Sequence, residues 1–362
     1  MPEAPEPDIV DTATEAATLS RPPLLILERV RAFLDEHGLG SGPVGASRIG
    51  EGGGSNFSFL VERDGERYVL RRPPRPPLPP SAHDVVREAR LQVALAPLGI
   101  RTPRIRAICE DDELLGVPFY VADYVEGFVV TDELPPGLDR DALARRRLAE
   151  DLVDALVEIH AVDTAVPALV PFVRPGSYLE RQVRRFSQLW EINATRPLPV
   201  VDEVGAKLAA TTPEPLPPAV VHGDYRLGNM IVVPGQPRPV VAVLDWEMGA
   251  IGDPRADVGY LLATYSSPGG EPTALGTSPV TATPGFLTSS ELAARYSELG
   301  GRNVEPLAWF EALALWKAAV FCEAIYGRFI RGELTVDDNR AAVFETVVPA
   351  LAVTAAEKLR QL

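Results

Sequence analysis

Two carboxylate clusters about twenty residues apart constrain this chain more than anything else in it. The first lies in Val221 to Gly235, VHGDYRLGNMIVVPG, and the second in Val240 to Tyr260, VVAVLDWEMGAIGDPRADVGY. Asp224 stands five residues before Asn229 on a predicted turn between two apolar runs, so both side chains can project into one cleft. There Asp224 would accept a hydroxyl proton and Asn229 would hold a metal. The run Val240 to Leu244 reads as a strand ending on Asp245, which puts a further carboxylate within reach of the same metal. Two such oxygen ligands, completed by phosphate and water, suit Mg²⁺. The pattern is that of a phosphoryl-transfer site.

HGD-x4-N followed by LDWE-x4-GDP-x2-D resembles the aminoglycoside phosphotransferase and choline kinase group of kinase-like enzymes. The resemblance runs through nearly the whole chain after residue 24. It implies an α+β, bilobal protein-kinase-like fold, with a sheet-rich N-terminal lobe, a mostly helical C-terminal lobe and the active site between them. It also implies ATP and Mg²⁺ as cofactors. In such folds the residue matching Asp257 is a buried aspartate that accepts backbone N–H bonds from the catalytic loop, and the one matching His222 packs within that loop rather than moving protons. Tyr225 and Arg226 either touch phosphate or cover the loop, and Glu247 either reaches the metal through water or faces solvent.

The rest of the chain divides accordingly. Residues 1–22 carry too few large apolar groups to offset the entropy of ordering and read as a disordered tail, 23–127 as a nucleotide-binding lobe and 128–362 as a catalytic and substrate-binding lobe. Leu24, Leu25, Leu27, Val30, Phe33 and Leu34 recur at helical spacing up to His37-Gly38. Phe57 to Val61 and Tyr68 to Leu70 read as a hairpin about the turn Arg63-Asp64-Gly65. After the proline connector Pro73 to Pro80 come a helix over Asp84 to Ala96 and strands over Ile105 to Cys109 and Phe119 to Asp123. From Arg140 onward helices dominate: Asp141 to Val162, Tyr178 to Ile192, Asp202 to Ala210, Ser289 to Leu299, Leu307 to Arg331 and Asp337 to Leu359. The Pro/Gly/Thr-rich stretch 266–288 is either a substrate lid or disordered.

The nucleotide would be held by residues of the first lobe. Gly50 and Gly52 to Gly54 precede a strand, where backbone without Cβ can approach phosphate, or they form a plain flexible loop. The GGSNFSF wording is similar to the family's phosphate loop, which makes Gly52, Gly53, Ser55 and Asn56 the candidates. In the strand Tyr68 to Arg71, alternation places Val69 and Arg71 on one face, with Arg72 turned away. Val69 would cover the adenine and Arg71 would meet phosphate, unless Arg71 merely ends an edge strand in solvent. Kinase-like folds usually carry Lys there, so Arg71 is a departure, though a guanidinium can bridge phosphate oxygens. The kinase-like pattern also implies that Glu88 orients Arg71, although Arg87 and Arg90 lie equally near it in sequence. It further implies that the carbonyl of Asp123 and the amide of Val125 read the adenine edge.

A formal net charge of -15 argues against nucleic acid as a partner. Cys109 and Cys322 are too isolated for a disulfide framework or a zinc site. No membrane segment is read: the apolar run Leu313 to Cys322 is broken by Lys317, and a cytoplasmic, soluble protein is expected. Fewer than ten residues separate Asp245 from Asp253, too few for the activation segment on which a protein substrate docks. The acceptor is therefore expected to be a small molecule. The wording YVLRRPP and SYLERQVRRFSQLW looks closer to the branch associated with acyl-CoA dehydrogenases, in which hydroxyacyl-CoA is phosphorylated. Arg181, Arg184 and Arg185 would suit such an anion, or they form a solvated basic face. A nucleotide-binding pseudokinase, acting as scaffold or sensor, is the alternative from another class.

Overall fold

The computed structural model describes residues 6–50, 56–76, 83–270, 273–333 and 338–362. The chain falls into two units, Met1–Val125 and Glu126–Leu362. The first unit opens with β1 (Ile9–Val10), α1 (Ala13–Ala16), β2 (Leu25–Ile26) and α2 (Leu27–Glu36). Residues 8–22 are thus folded, against the expectation of a disordered tail. Asp8 O accepts the amides of Leu24 and Leu25 at 2.7 and 2.9 Å, β1 pairs in parallel with β2, and Thr12 and Glu15 close a capping box. Carboxylates of this segment are partners too: Glu6 accepts from Ser20 N at 2.6 Å and Asp8 pairs with Arg75 at 2.6 Å. Because Leu24 is bonded to Asp8 and Leu25 and Ile26 form β2, α2 begins three residues later than the apolar spacing suggests.

A five-stranded sheet follows, in the order β3-β4-β5-β7-β6. It is built from β3 (Gly45–Ile49), β4 (Phe57–Arg63), β5 (Glu66–Arg72), β6 (Ile105–Cys109) and β7 (Phe119–Asp123), with α3 (Val85–Leu95) inserted between β5 and β6 in sequence. The β4–β5 turn has positive φ at both Asp64 (53°) and Gly65 (77°), a backbone open to Asp and Gly at little cost and matched to hairpin twist. Along β5 the residues Tyr68, Leu70 and Arg72 are buried while Val69 and Arg71 are partly exposed on the other face. Phe59, Val61, Tyr68, Leu70 and Val121 pack with Val30, Phe33 and Leu34 of α2 to make this unit's core. Pro73 to Pro76 lie in neither helix nor strand, and the rest of the proline connector is outside the described residues.

The second unit carries β8 (Phe128–Val129), α4 (Ala142–His160), α5 (Tyr178–Asn193) and α6 (Pro199–Ala210), then β9 (Ala219–Val221), β10 (Met230–Val232), β11 (Val240–Val243) and β12 (Ala250–Gly252), then α7 (Arg255–Thr264), α8 (Ser289–Gly300), α9 (Leu307–Ile330) and α10 (Asp338–Leu359). Asp141 caps α4 through the amides of Leu143 and Ala144, and Ser177 caps α5 through that of Glu180. Pro199 at the first position starts α6 before the expected Asp202. The core joins Phe186 and Trp190 of α5, Val201, Val204 and Leu208 of α6, Trp309 to Val320 of α9 and Val348, Leu351 and Ala355 of α10. Both indoles are satisfied within it, Trp316 Nε1 by Val201 O at 2.9 Å and Trp309 Nε1 by Leu208 O at 3.3 Å.

The stretch 266–288 is not disordered where it is described. Ser266 N donates to Thr281 Oγ1 at 2.9 Å, and Val280, Phe286 and Leu287 are buried. Both cysteines are free, and among the described residues no helix is long and apolar enough to cross a membrane.

Candidate active site

The catalytic-loop region is assembled from short strands of the second unit. β9 delivers His222 to Asp224, a single 3₁₀ turn (Leu227–Asn229) delivers Asn229, and β10 pairs with β11 so that Met230 lies opposite Val243. Leu244 N then donates to Asn229 O at 2.8 Å, which places Asp245 directly after a residue bonded to Asn229. Asn229 Nδ2 donates to both Asp224 Oδ2 (2.8 Å) and Asp224 O (2.9 Å), closing the five-residue loop on itself. The amide is thereby oriented with its Nδ2 occupied, which leaves Oδ1 as its acceptor atom. Asp224 Oδ1 is shielded from water, yet among the described residues it accepts no hydrogen bond. Arg226 Nε stands 3.4 Å from it as an ion-pair partner.

Asp245 adopts φ 64° and ψ 60°, a left-handed conformation that turns the chain sharply at the end of β11. Asp tolerates it better than most residues, and such backbone outliers gather at functional sites. Trp246 Nε1 reaches back to Val243 O at 3.0 Å and holds the bend.

Behind the loop lies a fully buried carboxylate. Asp257, in the first turn of α7, accepts His222 N at 2.6 Å and Gly223 N at 2.7 Å, while His160 Nε2 lies 3.2 Å from its Oδ2. Burial alone would raise its pKa. The hydrogen bond from His160, the charges of His160 and His222 and the Gly223 amide outweigh that, and the group is held below its ordinary value. His222 itself is structural: Nε2 bonds Leu244 O at 2.8 Å, Nδ1 accepts Asp224 N at 3.2 Å, and the ring packs 4.7 Å from that of Trp246. Gly223 has φ 86°, and a Cβ there would meet Met248 Cβ at 2.8 Å, so glycine is required. Tyr225 turns into the core, its hydroxyl donating to Leu152 O at 2.7 Å, and so covers the loop rather than facing phosphate.

In the first unit Arg71 sits on β5, in the interior of the sheet, paired in register with Ser58 and Tyr120. It does not end an edge strand. Its Nε lies 3.2 Å from Glu88 Oε2, and Glu88 is fully buried with Oε1 accepting Tyr120 O–H at 3.1 Å. Arg90 instead pairs with Glu110 at the surface. Arg72 lies on the opposite face, buried, with its guanidinium bonded to the carbonyls of Leu24, Pro73 and Leu115. Burial, with the charge of Arg75, lowers its pKa to about 10, so it keeps its proton. Asn56 Oδ1 contacts His83 Nδ1 at 3.1 Å, Val69 is half-buried, and Asp123 pairs with Arg106 at 2.5 Å. Tyr124 N donates to Arg67 O, which fixes the chain between Asp123 and Val125. Gly52, Gly53 and Ser55 lie outside the described residues.

Some functional neighbours were not found from the sequence. His160 and Asp257 are 97 residues apart, so their contact has no local signal. Asp253 and Arg255 form a buried pair at 2.7 Å; the guanidinium also donates to the carbonyls of Glu214 and Glu305, and the carboxylate also accepts the amides of Leu216 and Arg255. Arg181, expected to be available for an anion, is engaged with the carbonyls of Pro175 and Gly176.

A sheet-rich unit with a buried Glu–Arg pair, followed by a helical unit bearing an Asp-x4-Asn loop and a strand-end Asp, is an α+β kinase-like fold built for phosphotransfer. Residues 46–278 match the model of the phosphotransferase enzyme family, and the chain belongs to that family. Among curated relatives, acyl-CoA dehydrogenase family member 10 of Mus musculus is 31% identical over 283 residues, covering 78% of this chain and 26% of that protein. Family member 11 of Homo sapiens is 28% identical over 332 residues, covering 90% of this chain and 42% of that protein. The chain thus spans less than half the length of these relatives. Among solved structures, a Ralstonia eutropha protein described as a candidate aminoglycoside phosphotransferase superposes with TM-score 0.72 at 24% identity, over 91% of this chain and 98% of that one. Macrolide 2'-phosphotransferase type I superposes with TM-score 0.59 at 20% identity, over 89% and 96%.

Proposed function

We propose that the chain is an ATP- and Mg²⁺-dependent kinase that moves a γ-phosphoryl group to the hydroxyl of a small molecule. The observation that carries this reading is the asymmetry of Asp224. One carboxylate oxygen is pinned by Asn229, and the other, shielded from water, makes no hydrogen bond and has only the Arg226 guanidinium 3.4 Å away, which suits a base positioned to accept a hydroxyl proton. Mg²⁺ held by Asn229 Oδ1 and Asp245 would neutralise phosphate charge, and the all-oxygen donor set fits that ion. Arg71, held by Glu88, would bind nucleotide phosphate, with Asn56 beside the phosphate loop and Val69, Asp123 O and Val125 N placing the adenine. Gly52, Gly53 and Ser55 belong to the same proposal. Catalysis on this scheme is positioning and charge neutralisation rather than covalent chemistry.

The acceptor is either hydroxyacyl-CoA-like, in line with the names of the curated relatives, or aminoglycoside-like, in line with the structural neighbours. The test is ATP turnover with a panel of hydroxylated acceptors, with Asp224→Asn as control. Asn can still accept the Asn229 amide through its oxygen, so the loop should stand while turnover falls roughly 10²- to 10⁴-fold and ATP affinity stays nearly constant. Nucleotide binding with no turnover sensitive to Asp224 would establish the pseudokinase instead.

A further inference from the structure

Lys317 has no part in the scheme so far. The chain contains three lysines, Lys207, Lys317 and Lys358, and Lys317 alone is buried, with about 7% of its surface exposed. Buried ammonium groups are ordinarily paired, because an unpaired charge in a low-dielectric interior is costly. Even the partly exposed Lys358 is paired, with Glu311 at 2.6 Å. Lys317 is not: among the described residues it makes no hydrogen bond or ion pair, and its close neighbour is the Phe186 ring, 4.9 Å from Nζ. It lines a narrow cavity with Tyr178, Gly223, Ala256, Tyr260 and Phe310. Gly223 is the residue before Asp224. Burial, the Asp224 charge and a hydrogen bond to the Asp224 carboxylate together raise the Tyr260 phenol well above the ordinary value, and burial raises that of Tyr178. The Tyr178 phenol therefore remains a hydrogen-bond donor facing the cavity, while that of Tyr260 is given to Asp224. No carboxylate lines the cavity.

A buried cation without an ion-pair partner, with a protonated phenol beside it and adjoining a proposed base, is a receptor for negative charge. We propose that Lys317 determines acceptor specificity by taking an anionic group that the acceptor carries a few atoms from its hydroxyl. The inference rests on the reading of Asp224 as the base, and it names the acceptor class: an anionic hydroxy compound rather than a polycation. Burial, reinforced by Arg185 and opposed by Asp257 and Asp224, lowers the Lys317 pKa to about 8, so the site accepts an anion while the lysine is protonated and offers a neutral amine above that pH.

The test uses that amine. The full chain is labelled with a trace of acetic anhydride at pH 8 and each lysine is read by mass spectrometry, with Lys207 and Lys358 as internal controls. Lactate, lactamide and inorganic phosphate serve as probes. Lactate should slow acetylation of Lys317 by about threefold at twice its dissociation constant, with the controls unchanged and lactamide without effect. Equal protection by lactamide, protection by phosphate alone, or a Lys317 that never labels would each overturn the proposal. As a second measurement, Lys317→Met should lower the preference for lactate over lactamide as phosphate acceptor by roughly 10- to 100-fold, and Lys317→Arg should restore most of it. Labelling needs no nucleotide and no turnover. Protection without turnover would therefore defeat the kinase reading alone, and Asp224-dependent turnover without protection would defeat this inference alone.

Discussion

Asp257→Ala should destabilise the second unit by an amount that follows from two distances. The carboxylate accepts the amides of His222 and Gly223 at 2.6 and 2.7 Å, and it is fully buried, so alanine leaves two donors with no partner and no water. An unsatisfied buried donor costs about 1–3 kcal/mol, which puts the loss at roughly 2–6 kcal/mol. At about 2–4 °C per kcal/mol for a unit of this size, the calorimetric midpoint should fall by roughly 4–24 °C. Asp257→Asn should lie between, since its oxygen serves one amide while its own NH₂ meets the other. The pH dependence has a definite sign. Because the folded-state pKa lies below the ordinary 3.8, the stability this carboxylate contributes is present above that value and is lost as pH falls through the folded pKa. The gap between wild type and Asp257→Ala should therefore hold from neutral pH down to about 4 and close only in stronger acid. A midpoint within about 2 °C of wild type, less than 1 kcal/mol, would show that the catalytic loop does not depend on this carboxylate.

Arg71→Lys should weaken ATP binding or turnover by the equivalent of about 1–3 kcal/mol, since a point charge cannot reproduce a guanidinium fork, and Glu88→Ala should add little on top because both changes damage one unit. Strictly additive losses in isothermal titration with ATP would show that the 3.2 Å Arg71–Glu88 contact carries no function. Asp245→Ala should abolish the Mg²⁺ dependence of nucleotide binding, because Asn229 alone is a weak neutral ligand. An unchanged Mg²⁺ titration would remove Asp245 from the metal site.

Where the sequence is legible, a local rule is at work. The β4–β5 hairpin follows from Asp64-Gly65, α3 from a helical period behind the Asp84 cap, and the closeness of Asp224 and Asn229 from a five-residue spacing. Where it is not, the signal is either non-local or cancelled. β3 reads GASRI and lacks the large apolar residues that mark a strand. α7 follows a Asp-Pro pair and is buried on nearly every side, so it shows no amphipathic period. The folding of residues 8–22 depends on Arg21, Leu24, Leu25 and Arg75, which composition within the tail cannot report. Lys317 reads as an interruption of an apolar run, and its burial without an ion-pair partner among the described residues exists only in three dimensions.

The arrangement around His222 separates chemistry from support within one motif. His222 joins three segments at once: its amide is held by Asp257, its Nδ1 accepts the Asp224 amide, and its Nε2 bonds the carbonyl of Leu244, the residue before Asp245. Leu244 N in turn bonds Asn229 O. A shift of any one of these segments therefore displaces Asp224, Asn229 and Asp245 together, and sites of this kind lose function steeply with sub-ångström misplacement. It follows that single losses at Asp257, His222 and Gly223 should be strongly non-additive, because each removes the same constraint. An Asp224 change should stand apart from them in a double-mutant cycle on stability: on the proposed scheme it deletes the base while the backbone bonds of the loop remain in place.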